Sequence, residues 1–189
     1  MRKVSSLFIL AFLVALPLKA LSPYLLLSES TGSMEQNIEK VRQLLEEKQY
    51  EVLGEYAPAT DPALYVLAFT DASLKALAGK AGKQEMLASV MKIGLQQKDG
   101  KVRISLVNPE YLFHAYFREA MNKSPLREEA SSLGSKVLRD LSGITTSKKG
   151  FGGDVDTEDL QNYRYMVGMP RFDDPVELAT FDSFEQGIA

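Results

Sequence analysis

The chain has 189 residues, with 22 basic and 25 acidic side chains, a net charge of −3, 45% apolar residues and no cysteine. That size and mix suit one globular domain, burying about two thirds of its unfolded surface. Without cysteine there are no disulfides, thiol chemistry or thiolate metal sites, and without a basic stripe nucleic acid and anionic membrane surfaces are poor partners.

The chain begins MRKVSSLFILAFLVALPLKALS. Arg2 and Lys3 form a positive start, Leu7 to Leu16 an apolar stretch, and Pro17 and the small Ala20 close the segment, as in a secretory signal peptide. A spanning helix needs roughly 20 apolar residues, and here Pro17 and Lys19 interrupt the run. The expectation is a bacterial export signal over residues 1–20, cleaved after Ala20, although Leu18 is large for the −3 position. Retention of the segment as a membrane anchor is the alternative. Cleavage leaves a periplasmic or secreted chain over 21–189 with no membrane span. It removes Arg2, Lys3 and Lys19, so 19 basic residues face 25 acidic ones, a net −6.

Residues 22–30, SPYLLLSES, read as a short strand. Ser33 and Gln36 have capping-box spacing, and Ile38, Val41, Leu44 and Leu45 fall on one face of the helix that follows. YEVLGEY alternates as a half-buried strand, and ALYVLAFT is a continuous apolar run suited to a central strand. Asp71 is placed to cap a short helix, ended by Gly79 and Gly82. Alternating runs over 87–95 and 102–107 meet at Asp99-Gly100, a strong two-residue hairpin signal.

Asn108-Pro109 opens an aromatic helix, with proline where its missing N–H does no harm. Its buried stripe is Leu112, Phe113, Tyr116, Phe117, Ala120 and Met121. Ser124-Pro125 repeats the device for a helix whose inner face is Leu126, Ala130, Leu133, Val137 and Leu141, stopped by Gly143. Residues 145–160 read as a polar, glycine-rich surface loop, and NYRYMVGMP as one more strand. Asp182 and Glu185, at capping-box spacing, open a marginal last helix. The sum is an α+β two-layer sandwich, with one mainly antiparallel, twisted sheet and helices packed on one face.

His114 is the one histidine. With Tyr111 and Arg118 it occupies positions i, i+3 and i+7 on the flank of the aromatic helix. Such a group can be a ligand-binding site, a general base, a metal or haem ligand, or a boundary residue half in water. The last is the plainest reading. A single histidine cannot form the paired motifs of zinc sites, and haem with His114 as axial ligand stays open. The loop Lys148 to Asp154 lacks the order of a phosphate-binding loop. DVDTEDLQNYRY starts like a calcium loop but carries Asp159 where glycine is needed and Tyr165 where glutamate is needed. Asp173-Asp174 reads as a turn before proline. Serine-nucleophile motifs are absent, so no catalytic residues are assigned.

The runs YLLLSESTGSMEQNIEKVRQLLEEKQYEVLGEY and LYVLAFTDASLKALAGK, with the hairpin leading into ISLVNPEYLFHAYF, resemble the domain-of-unknown-function family 302. The resemblance covers residues 23–120. It implies a compact α+β domain with helices against a twisted sheet, and it carries no catalytic residues, because the family's activity is not established. Members often have glycine before the aromatic of LEEKQYEV, where this chain has Gln49. The segment 121–189 extends beyond the family pattern. The expected function is an exported, non-enzymatic binding or accessory protein for an unknown small ligand or envelope protein. Two alternatives stand beside it: a haem- or cofactor-binding redox or enzymatic accessory using His114, and a structural subunit of an envelope assembly.

Overall fold

The computed structural model describes residues 20–164, 166–169 and 179–188. Residues 1–19, which hold most of the expected export signal, and Asp173-Asp174 lie outside the described residues. In chain order the elements are β1 (Ala20–Leu21), β2 (Tyr24–Ser30), α1 (Met34–Glu47), β3 (Glu51–Tyr56), β4 (Leu64–Thr70), α2 (Ala72–Ala81) and β5 (Met91–Lys98). There follow β6 (Lys101–Val107), α3 (Pro109–Phe117), α4 (Ser124–Asp140), β7 (Lys149–Phe151), β8 (Val155–Asp156), α5 (Thr157–Gln161) and α6 (Phe184–Ile188). Six strands form one antiparallel sheet in the order β3-β4-β5-β6-β2-β7, and β1 pairs with β8. The fold is α+β, as expected.

Strand alternation decides what the sheet buries. Leu67 and Phe69 of β4, Met91, Ile93 and Leu95 of β5, and Val102, Ile104 and Leu106 of β6 point to one side and are sealed. A register shift between Leu26 and Ser28 keeps Leu27 on that same side. The helices meet them with Val41 and Leu45 of α1, Leu74 and Leu77 of α2, Phe113 and Phe117 of α3, and Leu133 and Val137 of α4. Each large side chain so buried is worth roughly 1.5–3 kcal/mol. Phe113 and Phe117 stack at 5.2 Å, and Tyr50 meets Phe69 edge-on at 5.1 Å.

Helix ends follow the local chemistry. Ser33 and Gln36 form both halves of the capping box of α1. Its C-terminus closes with Gln49 N–H donating to Glu46 O and Tyr50 N–H to Leu45 O, both at 2.9 Å. That double bond pattern needs a left-handed residue between cap and strand, and Gln49 has φ +61°. Asp71 Oδ1 accepts from Leu74 N–H at 2.7 Å, capping α2, which runs through Gly79 and ends at Gly82. Asp99 and Gly100 both take positive φ, making the tight turn between β5 and β6. On the sheet's edge, Arg42 of α1 bridges to Glu55 of β3 at 2.7 Å, and Tyr65 O–H donates to the same carboxylate at 2.6 Å. The Arg42 hydrogen bonds hold that carboxylate below its usual range.

Several expectations need correction. The strand expected from residue 87 begins at Met91, because Gln84–Ser89 wind into a 3-10 turn closed by Ser89 Oγ donating to Met86 O. The aromatic helix ends at Phe117, where Arg118 turns out of it with φ +45°. Ser124 is the first residue of α4 and not its cap, and its hydroxyl donates to Glu128. Gly143 sits in a 3-10 turn after α4 and does not end the helix itself.

The glycine-rich loop is in fact β7, β8 and α5. Gly150 lets β7 lie against β2, since a Cβ there would collide with Ser22 Oγ. The strand expected over 163–168 is not formed by its described residues: Tyr163 and Arg164 are irregular, and Met169 N–H bonds back to Met166 O in a turn. Ser183, not Asp182, accepts from Gln186 N–H at α6.

Candidate functional site

Tyr111, His114 and Arg118 lie on one flank of α3, but Arg118 has left the helix, so the i+7 spacing no longer sets its direction. Its side chain turns inward, only 6% exposed, and Nη1 donates to Gln161 O at 2.5 Å. The guanidinium thus fastens α5 to the end of α3. Tyr111 is half-buried; burial first, then the nearby Tyr163 and Tyr24 phenols, hold its hydroxyl above the ordinary range. His114 is half-buried with Nδ1 out of solvent. The C-terminal extension therefore packs on the flank that carries all three residues.

The other polar cluster ties helices together. Tyr50 O–H donates to Asp140 Oδ2 at 2.9 Å, Lys136 Nζ reaches the same oxygen at 2.6 Å, and Asp71 stands 3.7 Å from Lys136. Lys136 also lies 5.1 Å above the Tyr50 ring. Burial and the Asp140 carboxylate push the Tyr50 hydroxyl up. Every group has a partner, and the partners join α1's end, α2 and α4, which is a structural clasp.

The face of the sheet away from the helices is different. The register places Lys149, Leu26, Ser105, Gly94, Val66 and Tyr56 in one row across all six strands. A second row runs Glu29, Arg103, Gln96 and Leu64, and a third begins Phe151, Tyr24 and Val107. A solvated antiparallel face is normally polar at alternate positions. This one carries Tyr24, Tyr56 and Phe151, each between 44% and 49% exposed, with Leu26, Val66 and Val107 half-buried between them. Tyr24 and Phe151 stack at 5.4 Å.

Gly94 and Ser105 are the smallest residues in the middle of the long row, so the face sinks there. Ser105 Oγ donates to Gly94 O at 3.2 Å, and a Cβ on Gly94 would come within 3.3 Å of that hydroxyl. Three shallow hollows adjoin along this trough. The first, about 280 Å³, is walled by Leu26, Phe151, Gln96, Arg103 and Lys149. The second, about 340 Å³, shares Ser105 with it and is bounded by Tyr24, Tyr56, Val66 and Lys92. The third, about 350 Å³, shares Lys92 and Val107 and reaches Leu87, Val90, Leu112 and Tyr116.

These lining residues include no carboxylate and no imidazole, and the Ser105 hydroxyl is committed to a carbonyl. The arrangement offers apolar contact beside the positive charges of Lys92, Arg103 and Lys149. Among the described residues no three His, Asp or Glu side chains converge as a metal site, and the acidic run 154–159 is spread along β8 and α5, with Asp154 taking the Ser22 hydroxyl. No described helix is long and apolar enough to cross a membrane. Lys149 and Phe151 stand in the 148–154 loop weighed above against a phosphate cradle, and Leu112 and Tyr116 in the aromatic stripe; the residues of the central trough drew no attention in the sequence. The signal was present in YLLLSES and ALYVLAFT, which are apolar on both alternating sets and so leave apolar side chains over when one side is covered.

No family model matches the chain, and no curated protein matches it. Among solved structures, it is similar to one described as the crystal structure of an uncharacterized conserved protein DUF302 from Bacillus stearothermophilus. The TM-score is 0.45 at 17% identity, covering 62% of this chain and 94% of the other. That protein belongs to the family the sequence resembles.

Proposed function

We propose that this chain is an exported, non-enzymatic binding protein of the cell envelope, and that the open sheet face is its ligand-binding surface. The observation that carries the reading is the row of aliphatic and aromatic residues, sunk at Gly94 and Ser105, where an ordinary solvated face would be polar. Support for export comes from the order of residues 1–20, positive start, apolar stretch and small closing residue. Leu21, the residue after the expected cut, is buried in β1, and Asn108 holds the next two carbonyls through Nδ2 to Ser22 O and N–H to Pro23 O. Cleavage there would remove Ala20 from its pairing with Asp156 and leave Leu21 and these two carbonyls to hold the new start.

The test is expression of the full chain in a bacterium, release of the periplasm by osmotic shock, and native mass spectrometry of the recovered protein. The expected result is a chain starting at Leu21, carrying a non-covalent adduct that denaturation removes and Ser105→Trp abolishes. Recovery only from the cytosol with the presequence intact would end the export reading. An adduct retained by Ser105→Trp would move the binding surface elsewhere.

A further inference from the structure

We propose that the groove takes a free, single-chain amphipathic carboxylate, with its head at Lys149 and its tail toward Leu112; this rests on the open face being the binding surface. The trough is graded in polarity. Toward the β7 end Lys149, Arg103 and Gln96 offer three polar groups beside Leu26 and Phe151. At the far end Leu87, Val90, Val107 and Leu112 dominate, with only the Lys92 side chain charged. A ligand polar at one end and apolar along the rest matches that order.

The charges set the sign of the head. Arg103 gives its Nε to Glu29 at 2.8 Å, which offsets much of its charge. Lys149 and Lys92 form no ion pair among the described residues, whereas Lys75, Lys80 and Lys136 each meet a carboxylate. Two ammonium groups without an ion pair, set beside apolar side chains in a chain whose net charge is negative, favour an anion there. One lysine at the polar end suits a single negative charge. From β7 to β5 there are three strand spacings, roughly 14 Å, which suits an acyl chain of medium length.

The probes are decanoate and its uncharged counterpart decanol, titrated calorimetrically into the purified chain. Decanoate should bind at one saturable site, and decanol at least tenfold more weakly. Lys149→Gln, an exposed change, should weaken decanoate about tenfold, the loss of one charged hydrogen bond, and raised salt should weaken it in the wild type. Leu87→Asp, at a side chain 63% exposed, should also weaken it by placing charge against the tail. Equal binding of decanol, or no change in Lys149→Gln, overturns the carboxylate while loss in Ser105→Trp keeps the face as the site. Decanoate bound undiminished by Ser105→Trp defeats the reading of the face itself. Sedimentation with phosphatidylglycerol vesicles in place of decanoate binding overturns the free acid in favour of a membrane surface.

Discussion

Val66 and Leu67 are neighbours in β4, yet Leu67 is sealed beneath the helices and Val66 looks onto a groove. The same division runs along β5 and β6, where the inner set is wholly apolar and the outer set mixes Val107 with Lys92, Gln96, Arg103 and Ser105. On the inner side aliphatic character is consumed by α1 to α4, and the result is stability. On the outer side no described helix covers the sheet, and its apolar side chains stay half-buried or exposed. Within β4, where both sets are apolar, coverage alone separates Leu67 from Val66.

The largest effect should come from the inner face. Phe69→Ala removes a fully buried ring that meets Tyr50 edge-on and should cost about 3–5 kcal/mol in denaturant unfolding. A loss below about 1 kcal/mol would erase the contrast between the faces. Next in size is the clasp beneath them. Asp140→Asn weakens the bonds from Tyr50 and Lys136 and should cost about 1–3 kcal/mol. Burial alone would raise the Asp140 pKa, but the hydrogen bonds from Lys136 and Tyr50 outweigh it and hold the carboxylate below its usual range. A carboxylate depressed in the folded state stabilises above its unfolded pKa of about 4 and loses that contribution as pH falls through the folded value. Melting temperature should therefore fall more steeply below pH 4 in the wild type than in Asp140→Asn.

A smaller effect, of opposite sign, tests the hinge between helix and sheet. Gln49→Gly relieves a left-handed residue at φ +61° and should stabilise by about 1 kcal/mol, read as a raised denaturation midpoint with an unchanged slope. Smallest of all should be Tyr56→Ala on the outer face. It should change unfolding free energy by less than about 0.5 kcal/mol while weakening decanoate binding. A large stability loss there would mean that the outer face is packed after all.

Much of the inner architecture was legible in the residues. The capping box of α1, the Asp71 cap, the Asp99-Gly100 turn and the Asn108-Pro109 start are local chemistries, each read within four residues and each met. The errors fall where a distant partner decided the outcome. Residues 149–151 look like loop until β2 offers them a free edge, and the end of α3 looks helical until Arg118 finds the carbonyl of Gln161, 43 positions away. His114 attracted notice because it is singular in the sequence; the structure sets it half-buried on a flank against which the C-terminal extension packs. The centre of the groove drew none, because Gly94, Ser105 and Leu26 are unremarkable until the register aligns them.

The sequence by itself determined the α+β class, the helix caps, the hairpin and the inner stripe, because these rest on dihedral preference and on periods of 2 and 3.6 that neighbours along the chain share. Only the tertiary structure decided which side of the apolar β4 run would be covered, and which small residues would meet in the middle of the open face. Coverage depends on where helices of finite area come to rest, and register depends on pairing across strands far apart in sequence, so neither is written in any single stretch of residues.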